Sequence, residues 1–430
     1  MEIVAYFVAW RKGAERRLAS APFDILEGMP ALRTAIKHIL KRYRHLLPLA
    51  FQRRYFKSVR LVPKGRAPIG RALVSYALAA AGLPLNHPMF DYHSGPWESS
   101  MIVSLFLKRG YAVDVIHYTN RTFVPQERYD VIFSLTGELY RLVAYAKDPP
   151  EKIIKILHPN ISSIEHNNRA ELERIIALEA RRPGALYFPK RQEPNERLQE
   201  KTMELADTII LGGNSTVLNT YSTRFHNKIN LVPVSASPLY HAKTEDEYAP
   251  PEREFVWYFG NGAVRKGLDL VLEAFARNPH WKLNVIGLPQ TEPDFMKIYR
   301  KELTETPNIT LHGYQNPRSK SFDDILRRCF CFIAPSCTES ISTAVGTMLQ
   351  AGLYPLISRE TGIDLPEGAG MYFNELSVEE VERLARGALA LSDTQLRREI
   401  KATQEYALMA YSREAFIRAM DAALGRVLKD

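Results

Sequence analysis

Residues 331–358 read CFIAPSCTESISTAVGTMLQAGLYPLIS, and the order of signals in this stretch decides the fold. Phe330 to Ala334 is a short apolar run with strand propensity, stopped by Pro335 and Ser336. Thr338 to Leu349 carries Ile341, Ala344, Val345, Met348 and Leu349 at helical spacing, Gly352 stands where a helix ends, and Leu353 to Ile357 reads as a second buried strand. Strand, loop, helix and strand make a βαβ unit, in which ligands dock at the loop after the first strand. That loop holds one acid, Glu339, followed by Ser340, Ser342 and Thr343. A carboxylate at the mouth of a helix can bind hydroxyls, and the free amides behind it favour a phosphate. It can equally cap an ordinary helix, and this stretch alone leaves both readings open.

The same alternation runs outward in both directions. After Pro68 the strands are Arg71–Leu78, Tyr111–Tyr118, Tyr129–Leu135, Lys152–Leu157, Thr208–Gly212 and Lys228–Val234. Helices at 98–108, 138–146, 169–181 and 195–206 lie between them. Ser235 to Glu254 breaks the pattern with three prolines, several acids and little apolar periodicity. It restarts with strand 255–259, the turn Gly260-Asn261-Gly262 and a helical segment 266–276. Strand 282–287, helix 294–303, strand 309–313 and helix 322–328 then lead into the opening stretch. Repeated β-then-α order predicts an α/β protein: two Rossmann-like, doubly wound domains facing across a cleft. The expected division is a basic extension at 1–66, a first domain at 67–235, a linker at 236–254, a second domain at 255–410 and a closing helix at 411–430.

At 430 residues the chain exceeds one typical core, which agrees with two domains. No apolar run approaches the roughly 20 residues of a membrane span. The segment Met1 to Trp10 is apolar but short, carries Glu2 and lacks a basic region before it, so a cytoplasmic protein is expected. Cys329 and Cys331 alternate within one strand and Cys337 lies in the loop, with no histidine nearby, so buried thiols are expected rather than a metal site.

The net charge of +9 is concentrated. From Gly28 to Phe90 there is no Asp or Glu but twelve basic residues, and removing these twelve from +9 leaves −3 for everything else. Leu32, Ile36, Ile39, Leu40, Tyr43 and Leu47 form one helical stripe, with Lys37, Lys41, Arg42 and Arg44 mostly off it. Such a helix suits an anionic membrane surface at residues 31–66, or packs its stripe on the neighbouring domain; both readings are open. No aromatic-rich RNA motif or zinc pattern accompanies the charge, so nucleic acid is not an expected partner.

Four ordered segments carry a family resemblance. FGNGAVRKGLDLVLEAF (259–275) and APSCTESISTAVGTMLQAGLYPLI (334–357) resemble the donor domain of the GT-B retaining glycosyltransferases of the family-4 type, glycosyltransferase group 1. SGPWESSMIVSLFLKRGYAVDVI (94–116) is similar to that family's Gly-Gly-x-Glu loop with its helix and strand, and YSREAFIRAMDAALGRVL (411–428) to its closing helix. The resemblance covers roughly residues 70–430 and implies transfer of a sugar from a nucleotide-sugar donor to a glycan or lipid-linked acceptor, with retention, in surface polysaccharide synthesis. It implies that Glu339 holds hydroxyls of the donor sugar and that His158 lies near the reacting sugar. The remaining donor-binding residues that it implies are Gly95, Asn261, Gly262, Arg265, Lys266, Gly313, Ser340, Ile341, Ser342, Thr343 and Thr347.

The chemistry of such a site can be stated on its own. Negative charge builds on the diphosphate as the glycosidic bond breaks, and cations with backbone amides must stabilise it. Lys266, with Arg265 beside it, supplies point charges next to a Gly turn, and the amides of Ser340 to Thr343 can cradle the other phosphate. Neither half shows an Asp-x-Asp pair after a strand, so no metal and no cofactor are expected. The chain departs from the family pattern at four places. Thr347 replaces a second acid that grips the ribose, Asn261 replaces an Arg, Pro96 replaces a glycine, and the Gly-x-Pro step is one residue longer, from Gly352 to Pro355. These departures keep a second function open, a GT-B relative impaired in catalysis that serves as a glycan- or nucleotide-binding module.

Overall fold

The structure is a computed structural model that describes residues 58–91, 94–236, 238–243, 252–287 and 291–428. The apolar stripe at 32–47 lies outside the described residues, as does the acidic run 245–247.

The first domain is built on a seven-stranded sheet: β1 (Val59–Leu61), β2 (Gly70–Tyr76), β3 (Tyr111–His117), β4 (Val131–Ser134), β5 (Ile154–Leu157), β6 (Thr208–Gly212) and β7 (Ile229–Val232). Its spatial order is β1-β3-β2-β4-β5-β6-β7, and every pairing but one is parallel. Its helices are α1 (Ser94–Lys108), α2 (Glu138–Ala144), α3 (Ile164–Arg181), α4 (Glu196–Leu205) and α5 (Ser215–Leu218). The strands read as near-continuous apolar runs because helices cover both faces of a parallel sheet.

The exception in direction is β1, antiparallel to β3 with Arg60 opposite Asp114. This strand falls inside the segment read from the sequence as a basic extension. Arg60 forms a two-pronged contact with Asp114, Nε–Oδ1 at 2.7 Å and Nη2–Oδ2 at 2.9 Å. Arg71 pairs with Glu127 at 2.7 Å, and Arg66 donates to the Lys108 carbonyl. Three of the twelve cations are therefore spent inside the domain. Their partners lie beyond residue 90, where a count of local acids could not reveal them.

The second domain holds β8 (Glu254–Phe259), β9 (Leu283–Gly287), β10 (Ile309–Gly313), β11 (Cys329–Ala334), β12 (Tyr354–Ile357) and β13 (Met371–Tyr372). They form an all-parallel sheet in the order β10-β9-β8-β11-β12-β13. That is the Rossmann order, with its topological switch point between β8 and β11. The helices are α6 (Leu268–Arg277), α7 (Pro293–Ile298), α8 (Arg300–Thr304), α9 (Lys320–Leu326), α10 (Thr343–Gln350), α11 (Val378–Leu389), α12 (Asp393–Ala410) and α13 (Arg413–Gly425). The single helix expected at 294–303 is two, broken at Tyr299, whose ring is wholly buried.

The decisive helix also differs from expectation. It begins at Thr343, not Thr338, capped by the Ser342 hydroxyl accepting from the Val345 amide. Residues 338–342 stay a loop because the second domain and the first both hold them there. The Ser342 amide donates to the Thr361 carbonyl at 2.9 Å, and the Ser340 hydroxyl to the Asn160 carbonyl at 2.6 Å. Helical periodicity cannot register such tertiary partners.

Two elements tie the domains together. Helix α3 belongs to the first domain, yet Leu178 near its end is part of the second domain's core. Arg174 reaches Asp269 at 2.7 Å, both side chains almost fully buried, and Arg181 joins the same carboxylate. Helix α13 returns to the first domain, where Asp421 takes Arg109 at 2.6 Å and Phe416 packs edge-on against Trp97.

Candidate active site

Lys266 follows β8 and Glu339 follows β11, so neighbouring strands at the switch point deliver them from loops 73 residues apart. Lys266 Nζ is salt-bridged to Glu339 Oε1, with side-chain exposures of only 11% and 16%. Gly267, at φ +69°, allows this approach: a Cβ there would lie 2.4 Å from the Pro335 carbonyl oxygen. Gly362 does the same behind the acidic loop, where a Cβ would meet the Ser340 carbonyl at 1.9 Å. Only glycine tolerates either position.

Burial pushes the Lys266 pKa down, and Arg265 and Arg191 push the same way, while Glu339 opposes them. Burial alone would raise the Glu339 pKa, but Lys266, Arg265 and Arg191 outweigh it and hold the carboxyl below its ordinary value. The Lys266 ammonium also sits 4.6 Å from the centre of the Phe259 ring. The site is thus a cation-rich patch around one ionised acid.

The first domain holds the predicted His158 and Glu98. His158 is 2% exposed; its Nδ1 lies 2.6 Å from the Ile210 carbonyl, and its ring stacks on Tyr76 at 5.9 Å between centres. A carbonyl can only accept, so Nδ1 carries the proton and Nε2 is left as an acceptor. Burial lowers the His158 pKa, which favours that neutral form. Glu98 sits in the second turn of α1 rather than at its start. It accepts from the Tyr76 hydroxyl at 2.8 Å and the Ser235 hydroxyl at 2.7 Å, so it orients the histidine's stacking partner. At the head of α1, beside Gly95, Ser94 Oγ lies 3.2 Å from Thr343 Oγ1 across the domains.

Several expected donor contacts are already engaged within the protein. The amides of Gly262 and Ala263 donate to the buried Glu292 carboxylate, whose other oxygen accepts from Tyr187 at 2.6 Å. Asn261 Oδ1 accepts from Thr291 at 3.0 Å. Arg265 Nε donates to the Thr338 carbonyl at 3.0 Å, buttressing the Glu339 loop. Thr347 donates to the Thr343 carbonyl one turn back, at 2.8 Å. Ile341 packs beside Gly212, and Gly313, at φ +67°, ends β10. Glu292 is the residue that sequence reading passed over; no spacing marks a carboxylate that caps a turn 30 residues away.

A cavity of about 330 Å³ opens beside Glu339, lined among others by Ser162, Ser163, His166, Arg169, Thr338 and Glu360. Ser162 and Thr338 share a hydroxyl–hydroxyl contact of 2.5 Å across the domain boundary. Among the described residues, no three His, Cys, Asp or Glu side chains converge as a metal cage, and no helix is long and apolar enough to cross a membrane. The three cysteines are buried and form no disulfide.

The family model "Glycosyl transferases group 1" matches residues 242–404, the bulk of the second domain. The match spans less than half of the 430-residue chain, and it is over these residues that the chain is similar to a group 1 glycosyl transferase. No curated protein matches the sequence. Among solved structures, the whole arrangement is similar to sucrose-phosphate synthase from Thermosynechococcus elongatus, at 14% identity and TM-score 0.59 over 84% of this chain and 99% of that one. It is also similar to HepE of Anabaena in complex with UDP and glucose, at 12% identity and TM-score 0.50 over 83% of this chain and 98% of that one. At these identities the likeness is one of fold: two Rossmann-like domains in the GT-B arrangement. Lys266 and Glu339 lie within the residues that match the family model, and His158 belongs to the first domain.

Proposed function

We propose that the protein transfers a sugar from a nucleotide-sugar donor to an acceptor hydroxyl, with retention of configuration and without a metal. The observation that carries this reading is the Lys266–Glu339 pair, set at the switch point of a domain that matches the group 1 family model. Lys266 and its neighbouring guanidiniums serve the departing diphosphate, the task a divalent cation performs elsewhere. Glu339 and the Nε2 of His158 accept from sugar hydroxyls, and the hydroxyl-lined cavity beside Glu339 gives a polar ring room. The acceptor oxygen bonds to the anomeric carbon as the bond to phosphate breaks, and the acceptor proton leaves with the phosphate oxygen.

The nucleotide in the HepE complex makes UDP-sugars the first donors to try. The experiment is release of radiolabelled sugar from UDP-, GDP- and ADP-sugars, with and without EDTA. Turnover of one donor that survives EDTA supports the reading. Binding without turnover would instead support the impaired module, which the engaged Gly262 amide and the threonine at 347 favour.

We further propose a lipid-linked acceptor for surface polysaccharide, reached from an anionic bilayer through the basic segment. Since Arg60, Arg66 and Arg71 have partners within the domain, this role falls on the cations before residue 58. Cosedimentation with anionic and neutral vesicles tests it, comparing the full chain with one beginning at Ser58 so that β1 is kept. Equal binding of both to anionic vesicles overturns it.

A further inference from the structure

Several cations gather about Glu339. Lys266, Arg265 and Arg191 all act on this one carboxylate, and two of the three are committed: Lys266 to the salt bridge and Arg265 Nε to the Thr338 carbonyl. Two neighbouring carboxylates are engaged elsewhere. Glu292 is taken up by the Gly262 and Ala263 amides and Tyr187, and Glu171 by the loop that carries Arg191.

That loop is held with unusual thoroughness for an exposed segment. The wholly buried Glu171 carboxylate accepts from the amides of Lys190 and Arg191 at 2.9 and 3.1 Å and from the Gln192 side chain at 2.9 Å. The buried Asn167 side chain donates to the Arg191 carbonyl at 2.9 Å. Both anchors stand on α3, which is itself pinned to the second domain through Arg174 and Asp269. The Arg191 side chain, by contrast, makes no hydrogen bond or salt bridge to another described residue. It runs past the Gly262 turn, where its Cγ would lie 3.9 Å from a Cβ on that glycine. A fixed backbone that presents an uncommitted guanidinium beside a cation-rich turn is arranged for an anion from outside the chain.

We propose that Arg191, from the first domain, binds the diphosphate of the nucleotide-sugar opposite Lys266, so that the leaving group is gripped from both domains at once. This rests on the donor site proposed above. A planar guanidinium suits two phosphate oxygens, and its approach from across the cleft explains how the Gly262 turn can spend its own amide on Glu292. Because the loop is fixed through α3 to the second domain, the grip needs no closure of one domain on the other.

The test is equilibrium binding of UDP, GDP and ADP, each beside its nucleoside, to the full-length protein, Arg191→Ala and Arg191→Lys. For whichever diphosphate the unaltered protein binds, Arg191→Ala should weaken it by about tenfold or more, the scale of a charge-assisted hydrogen bond. The matching nucleoside should bind within about twofold, Arg191→Lys should recover part of the loss, and the melting temperature should stay unchanged because the side chain is exposed. Equal binding of the diphosphate by Arg191→Ala and the unaltered protein overturns the proposal while leaving the donor site standing. Failure of the unaltered protein to bind any of the three diphosphates overturns the donor site, and this proposal with it.

Discussion

Lys266 and Glu339 neutralise one another across two loops that come together only because β8 and β11 are neighbours in the sheet. Without donor each is the other's counter-ion. In the proposed function, Lys266 serves the phosphate of the bound donor and Glu339 its hydroxyls. Under that proposal, the pair links stability in the empty protein to chemistry in the loaded one.

Activity and stability should separate in a double variant. Lys266→Met and Glu339→Gln each remove a group from the reaction and should lower turnover by about 100-fold or more, the scale of losing one transition-state donor. Lys266→Met also takes the salt-bridge partner from a largely buried carboxylate, leaving it only the fields of Arg265 and Arg191, and should lower stability by about 2–3 kcal/mol, less than an unrelieved buried charge would. Combining the two should restore much of the stability but none of the turnover. Urea unfolding and a labelled-sugar assay on the same samples read both; retained turnover in either single variant would remove these residues from the site.

Gly267→Ala should inactivate without touching a charged group. Its left-handed backbone costs an alanine about 1–2 kcal/mol, and the methyl meets the Pro335 carbonyl, so the loops must part and the Lys266–Glu339 contact must lengthen. We expect a lower melting temperature and loss of turnover together. Wild-type turnover in a folded Gly267→Ala protein would show that the close approach is dispensable.

At the domain boundary, Asp269→Asn should be more damaging than Arg174→Met. Asp269 is wholly buried and answers both Arg174 and Arg181, so neutralising it leaves Arg174 charged, buried and, through an Nε that already lacks a partner, poorly satisfied. The cost should approach about 3–5 kcal/mol. Removing Arg174 leaves Asp269 still paired with Arg181 and should cost less. Chemical denaturation measures the order, and the reverse order would refute this account of the boundary.

The pH dependence of stability should carry a His158 component. Burial depresses its folded pKa, so the folded state binds fewer protons than the unfolded one. The stability this represents is whole above the unfolded value of about 6.5 and is lost as pH falls through the folded value. His166 and His312 are shifted the same way, so the readout is a difference. The curve for His158→Gln should fall less steeply below pH 6.5 than that of the unaltered protein; parallel curves would place His158 elsewhere than in a buried, neutral site.

The amino-acid sequence by itself determined the alternation of strands and helices, because apolar periodicity and Gly/Pro punctuation are local signals that a parallel sheet needs in every unit. It also marked Lys266 and Glu339, each in the stretch that follows an apolar strand, Lys266 beside a Gly turn and Glu339 as the one acid of its loop. Only the tertiary structure decided which polar groups remain for a ligand. The Gly262 amide goes to Glu292, the Ser342 amide to Thr361, Arg60 to Asp114, and Arg191 is carried to the Gly262 turn by a loop of the other domain. Each outcome depends on a partner distant in sequence. A buried amide or carboxylate must find some partner, and which one it finds depends on the packing of the whole chain rather than on its neighbours in sequence.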